Sequence, residues 1–556
     1  MHRMNRVLSG MLVAVALAAC RDPLTVQNYN NPDRLRVLAR PSDLEALVGG
    51  TFKTAFNATY GSNGIAPTAR TISWESASNL NNWGMGPRSA LPRIAIDNAK
   101  GNAYQAENNT DHTGLARAAR AAADGVNRLS PPPVGGGVSL GTVAQDARAK
   151  AWAWFSLAFA TGMLAMDYDS MAIVWPYDDL AFLAPLTGHT EGAVAALNEL
   201  DSAIAWATTA LGATGANNFP IPAGWFWNNA AIDAPTFIRI CRTYKAYFRA
   251  NVARDPTERL AVNWTAVRDD AAAGIIANIS VTTGGGVGWN IAQNQVYTRS
   301  GWGQLSLLLG GMADSTGAQF NAWLATPIAA KVPFLVRSRD RRFPAGDTRA
   351  LQQTASGTIP GGACALCYFQ NRAVDTPSDP WTSYYEWYRT QAWYNNSNGT
   401  GPTPVLVTPM NDLLLAEAYI RLNQVALAAP IIDRTRVPNG LPALAGVVTD
   451  ATTGVPNSSP TASDCVPRVP VGPAYTTTAC GNILEAMKWE YRLETMYVSY
   501  IAQFHSSRGW GDLPEGTPVD WPLPWQELDA RRYTAFPNRG GVNNVGGSIG
   551  KGTYGY

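Results

Sequence analysis

Apolar positions along this chain fall into spaced blocks of helical period. Trp152, Phe155, Phe159 and Met163 share one face behind Thr142 and Gln145, a pair that predicts a capped helix start. Ser42 with Glu45 predicts a second start, leading into Leu44, Leu47 and Val48. Leu197, Leu200, Ile204 and Ala207 repeat the spacing, as do Leu415, Ala418, Tyr419 and Leu422. Segments 237–252 and 264–277, parted by Asp255-Pro256, read as a helix pair, and a last block runs from Ile483 to about Tyr500. Alanines crowd the packed faces, which lets neighbouring helices approach closely. The blocks lack a strict 34-residue period. The expectation is a mainly α fold of TPR-like helical hairpin repeats, one large body with long irregular, loop-rich insertions and little β.

Between the blocks lie stretches rich in Gly, Pro, Asn and aromatics: 60–110, 131–141, 280–302, 340–404 and 440–480. Stretches with so many Trp and Tyr residues are poor candidates for disorder and read as ordered surface, where binding usually resides. The first residues differ from everything after them. Arg3 and Arg6 precede a short apolar run ending in Leu17-Ala18-Ala19-Cys20. The run is too short to span a bilayer and has the form of a secretory signal.

Composition narrows the function. With residues 1–19 removed, which takes Arg3 and Arg6, basic and acidic residues balance, so no global field draws in nucleic acid. No charged or Ser/Gly linker divides the chain, and residues 42–556 read as one domain with insertions at about 60–110, 280–302 and 340–404. Outside the cytoplasm, Cys465 with Cys480 and Cys364 with Cys367 are candidates for disulfides, while Cys241 lies in an apolar helical stretch as a buried thiol. Cys364-x-x-Cys367 has no second ligand pair at zinc spacing. No metal or cofactor is expected.

Several motifs carry a family resemblance. Leu17 to Cys20 resembles the lipobox of bacterial lipoproteins, which implies cleavage before Cys20 and acylation of its thiol. Ile483 to Ala486 followed by Glu490-Tyr491-Arg492-Leu493-Glu494 resembles a helix of SusD/RagB-type nutrient-binding proteins. So do Arg508-Gly509-Trp510-Gly511-Asp512, the Trp521 to Leu528 ending, Leu414 to Tyr419, and Gly440-Leu441-Pro442. Leu24-Thr25-Val26 with Asn28 to Pro32 is similar to the segment behind that family's anchor. Phe504 to Ser507 departs from the pattern, and 340–404 matches none of it. The resemblance implies a lipoprotein of the outer membrane, held by lipid at Cys20 and facing the exterior. Its residues 20–41 would form anchor and lead-in segment. It would pass a ligand, with oligosaccharide favoured and peptide or other nutrient open, to a TonB-dependent SusC-like barrel, without cofactor or catalysis.

Three loops offer ligand-binding residues. Trp381, Tyr384, Tyr385, Trp387 and Tyr388, followed by Trp393, Tyr394, Asn395, Asn396 and Asn398, could stack on sugar rings and hydrogen-bond their hydroxyls. The same aromatics could instead pack a strand onto the helices or face a partner. Asn82, Trp83 and Arg88 offer one ring among amides and a guanidinium; a turn with Trp83 folded inward is the other reading. Trp289, Tyr297, Arg299 and Trp302 form a third group that could equally pack a hairpin.

Enzyme readings rest on less. Glu490 and Glu494 share a helix face, as in a glycoside hydrolase acid pair, but nearby arginines favour an ion-pair network. Ser139 and Ser548 lie in G-x-S-x-G without the strand-turn-helix that an esterase nucleophile needs. The histidines beyond residue 19 are His112, His189 and His505, with no HExxH. A surface hydrolase and a helical-repeat envelope scaffold are the rival readings.

Overall fold

Thr142 caps its helix as the pattern predicts, its hydroxyl accepting the Gln145 N–H at 3.2 Å. The computed structural model describes residues 38–61, 63–179, 181–214, 219–226, 230–284, 288–291, 302–355, 367–371, 377, 380–389 and 397–556. Its longer helices are α1 (Pro41–Thr59), α2 (Gln105–Leu129), α3 (Val143–Asp167), α4 (His189–Thr214) and α5 (Ala234–Asn251), then α6 (Trp264–Ala272), α7 (Thr408–Arg421), α8 (Val425–Arg436), α9 (Ile483–Thr495) and α10 (Ala502–Trp510). Asp233, Asn263 and Asn482 cap α5, α6 and α9 by accepting a first-turn N–H. The start at Ser42 is corrected. Arg40 is the N-cap of α1 with no side-chain bond, because Pro41 lacks an N–H and suits the first helical position. Glu45 instead pairs with Arg148 of α3 at 2.5 Å.

Successive helices pack on one another from α1 to α8, and α9 lies against α7 and α8. This is the mainly helical, TPR-like architecture that the spacing implies. Close approach depends on small residues. A Cβ at Gly162 of α3 would fall 2.3 Å from the Phe248 ring of α5, and one at Gly114 of α2 would meet Ala58 of α1 at 2.2 Å. The helices enclose a first core in which Phe52, Trp152, Phe155 and Phe159 pack together, with Phe52 stacked on Phe226 at 4.7 Å.

Loops, short strands and short helices between the longer helices make a second core. Trp74, Leu307, Phe320, Trp323, Phe343, Phe369, Trp381, Tyr385 and Trp387 meet Trp489, Leu493 and Tyr497 there. Helix α9 serves both, giving Ile483, Ala486, Met487 and Tyr491 to the first core and Trp489 and Leu493 to the second. The described strands pair in antiparallel twos. They are β1 (Ser76–Ala77) with β5 (Gln304–Leu305), β2 (Met171–Ala172) with β3 (Leu186–Thr187), β4 (Ile279–Thr283) with β8 (Gly401–Leu406), β6 (Phe369–Asn371) with β7 (Tyr385–Trp387), and β9 (Arg468–Val471) with β10 (Thr477–Cys480). A Cys465–Cys480 disulfide closes the last hairpin. Cys367 is disulfide-bonded, Cys364 lies outside the described residues, and Cys241 is a buried free thiol. Among the described residues, no helix is long and apolar enough to cross a membrane.

Glu199 of α4 is buried beside Thr161 of α3, with no cation paired to it among the described residues. Burial raises its pKa well above the usual value. The folded chain therefore holds this proton more tightly than the unfolded chain. The contribution is complete below the ordinary carboxylate pKa and is lost as pH rises through the folded value. Glu199→Gln should melt with the parent chain near pH 4 and above it near pH 9, read by circular dichroism. Equal melting at both pH values would count against a buried neutral acid.

Candidate functional site

Pairing of β1 with β5 brings two distant loops together, with Ala77 opposite Gln304. Next to this pair, the Trp83 and Trp302 rings stack at 5.3 Å with an interplanar angle of 25°. Both rings are half-buried on the second core, and Asn82 beside them is exposed. The loop is held from below. The Thr68 hydroxyl donates to the Trp83 carbonyl at 2.8 Å, and the Ser78 hydroxyl donates to the Trp302 carbonyl at 2.8 Å. Trp83 has φ +49°, a left-handed conformation costly for a bulky side chain, followed by Gly84 at +73°. A backbone strained at a half-buried aromatic pair marks a functional candidate.

Arg88 is corrected as a ligand-binding residue. Its guanidinium is buried and forms an ion pair with Glu107 of α2, which leaves it supporting the loop. Glu107 also accepts the Thr68 hydroxyl at 2.9 Å. Burial pushes the Glu107 carboxyl up to about 7, opposed by Arg88 and Thr68. Neither Thr68 nor Glu107 was visible as a partner in the sequence, because neither belongs to the loop's own pattern.

Most of the aromatic run is also corrected. Trp381, Tyr385 and Trp387 are 6 %, 0 % and 2 % exposed, so they present no face to a ligand. Pairing of β6 with β7 lays Phe369 against Trp387, and the Tyr385 hydroxyl donates to Gln352 at 2.7 Å. Tyr384 and Tyr388 remain half-exposed, with the Arg349 guanidinium 4.4 Å from the Tyr384 ring. Trp289 is likewise core, packed edge-on to Phe56 at 5.1 Å. Asn398 is exposed. Cys20, Tyr297, Arg299, Trp393, Tyr394, Asn395 and Asn396 lie outside the described residues.

The acidic cluster is an ion-pair network. Arg342 reaches both oxygens of Glu490 at 2.8 and 3.0 Å and Asp340 at 2.7 Å, all fully buried. Burial alone would lower the Arg342 pKa, but the Asp340 and Glu490 carboxylates outweigh it and raise it well above the usual value. Glu494 is taken by the Tyr368 hydroxyl at 2.7 Å and by Arg389 at 3.1 Å. His505 bridges Tyr247 and Asp167 at 2.7 Å each, in catalytic-looking order, yet all three are buried. Burial, with Arg508 and Arg254 nearby, lowers the His505 pKa well below the usual value. Substrate cannot reach a trio so enclosed. Ser139 accepts the local Gly141 N–H, and Ser548 donates to the Pro514 carbonyl, neither on a strand-to-helix turn.

An open cleft of about 280 Å³ lies elsewhere on the surface, lined by Thr316, Arg337, Ser338, Arg339, Asp347 and Asp464 among others. No single stretch of sequence contains it, which is why periodicity and motifs miss it.

The fold has a counterpart among solved structures. A SusD homologue from Parabacteroides distasonis superposes with a TM-score of 0.51 at 14 % identity, over 85 % of this chain and 85 % of that one. The chain has a SusD-like fold. A SusD superfamily protein from Bacteroides vulgatus gives a TM-score of 0.47 at 11 % identity, over 88 % of this chain and 90 % of the other. A SusD/RagB family protein from Bacteroides thetaiotaomicron gives 0.42 at 10 % identity, over 88 % of each. These two are weaker likenesses, and the SusD-like assignment rests on the first. No family model and no curated protein sequence matches the chain.

Proposed function

We propose that this chain is a cell-surface lipoprotein, anchored through Cys20 after removal of residues 1–19, that captures a nutrient and passes it to a TonB-dependent SusC-like barrel. Residues 42–556 act as one domain, and the ligand favoured is an oligosaccharide. The lipobox-like Leu17 to Cys20 supports the anchor, and the SusD-like fold supports the class. The observation that carries the ligand reading is the Trp83–Trp302 stack, a half-exposed aromatic surface with Asn82 at its edge. Aromatic faces suit the C–H faces of sugar rings, and an amide suits their hydroxyls.

Two measurements test it. Affinity purification from the native membrane in mild detergent should recover an outer-membrane barrel in stoichiometric amount, identified by mass spectrometry. Calorimetry of the purified chain against an oligosaccharide panel should find one class that binds. Other envelope proteins recovered intact but no barrel would leave a scaffold as the better reading. Binding of short peptides instead of glycans would change the ligand class and leave the transporter in place.

A further inference from the structure

Strands β2 and β3 form the base of a hairpin whose loop leaves four large side chains in water. Trp175 is 41 % exposed, Tyr177 49 %, Phe182 77 % and Leu183 71 %. Its acidic residues, Asp178 and Asp179, are turned into local bonds: Asp178 accepts the Trp175 N–H at 2.8 Å and Asp179 the Ala181 N–H at 2.9 Å. Both acids are engaged within the loop, while Phe182 and Leu183 stay exposed.

The place of the hairpin is informative. The Tyr177 hydroxyl lies 2.9 Å from that of Ser130, the C-cap of α2. Two residues earlier, the Arg128 Nε donates to the carbonyl of Leu38 at 3.4 Å, where the described chain begins. Val134, just beyond Ser130, adds another exposed apolar side chain at 57 %. The hairpin loop therefore sits beside the point where the N-terminal segment joins the body. A tether from Cys20 to Leu38 reaches about 60 Å at most.

We propose that this hairpin loop contacts the lipid surface to which the chain is anchored. The inference rests on the Cys20 anchor reading. Trp175 and Tyr177 match the amphipathic rings that settle at headgroup level, and Phe182 and Leu183 supply apolar side chains for the acyl boundary. The acyl chains hold the protein at the membrane but leave its orientation free, and a second contact next to the anchor fixes it. The four side chains together bind lipid without the anchor, and next to the anchor they orient the body on the membrane.

The test uses the mature chain with Cys20→Ser, which removes acylation, floated with vesicles of phosphatidylethanolamine and a minor share of phosphatidylglycerol. The parent loop should float, and Phe182→Ser with Leu183→Ser should cut the bound fraction about tenfold at unchanged melting temperature. Absence of flotation by the Cys20→Ser chain, or equal flotation by both, overturns the proposal. So does loss of an envelope protein from pull-downs of the double variant with lipid binding unchanged, which would make the loop a protein interface. The acyl mass on Cys20 of the unmutated chain, read separately, tests the anchor itself.

Discussion

Arg342→Ala should cost about 3–5 kcal/mol, the range for breaking a buried ion pair by removing one partner. The guanidinium joins Asp340 and Glu490, and Asp340 also accepts the Trp489 indole N–H at 3.0 Å. Without Arg342, Asp340 and Glu490 stay buried without the guanidinium that joins them. They must take up protons or draw water in, and both weaken the contact between the 340s loop and α9. Arg342→Lys keeps the charge but cannot span both acids as a planar fork, so it should fall between. Urea unfolding followed by tryptophan fluorescence measures this. A midpoint unchanged in Arg342→Ala would mean that Asp340 and Glu490 are not held as described.

The second large effect concerns binding. Trp83→Asn should weaken the oligosaccharide found by calorimetry about 30-fold, as expected when an aromatic anchor worth about 2 kcal/mol is removed. Asparagine tolerates the left-handed backbone better than most residues, so the loop keeps its course while the ring is lost. Trp302→Ala should have a similar effect, and the double variant less than the product, because each ring holds the other. Affinity equal to the parent in both single variants would place the ligand elsewhere, with the open cleft at Arg337 and Arg339 the next surface to probe.

How far the sequence reveals these features depends on the range of the interaction. Thr142 with Gln145 is local, and the helix starts where the pattern says. The aromatic run was harder to read. Alternation separates a buried face from an exposed one only when one face meets water, and Tyr385, Glu386 and Trp387 are all buried. Arg88 reads as a ligand group because its partner Glu107 belongs to another element, and no local signal announces such a pair. Trp83 and Trp302 were legible one by one, but their stacking depends on the β1–β5 pairing, which two-residue strands barely encode. The ion pairs around Glu490 could be inferred from nearby arginines, although Arg342, the partner that matters, is far away in sequence.

Helix α9 sets an order for the making of this protein. Chains emerge from the ribosome or a translocation channel N-terminus first, and α9 begins only at Ile483. Until it arrives, both cores lack a wall, and their aromatic interiors face whatever is nearby. A message truncated before α9 should therefore yield aggregate or protease fragments instead of a shorter working protein. Chaperones and proteases would meet an almost complete chain that is still open, and its last part decides whether the rest survives.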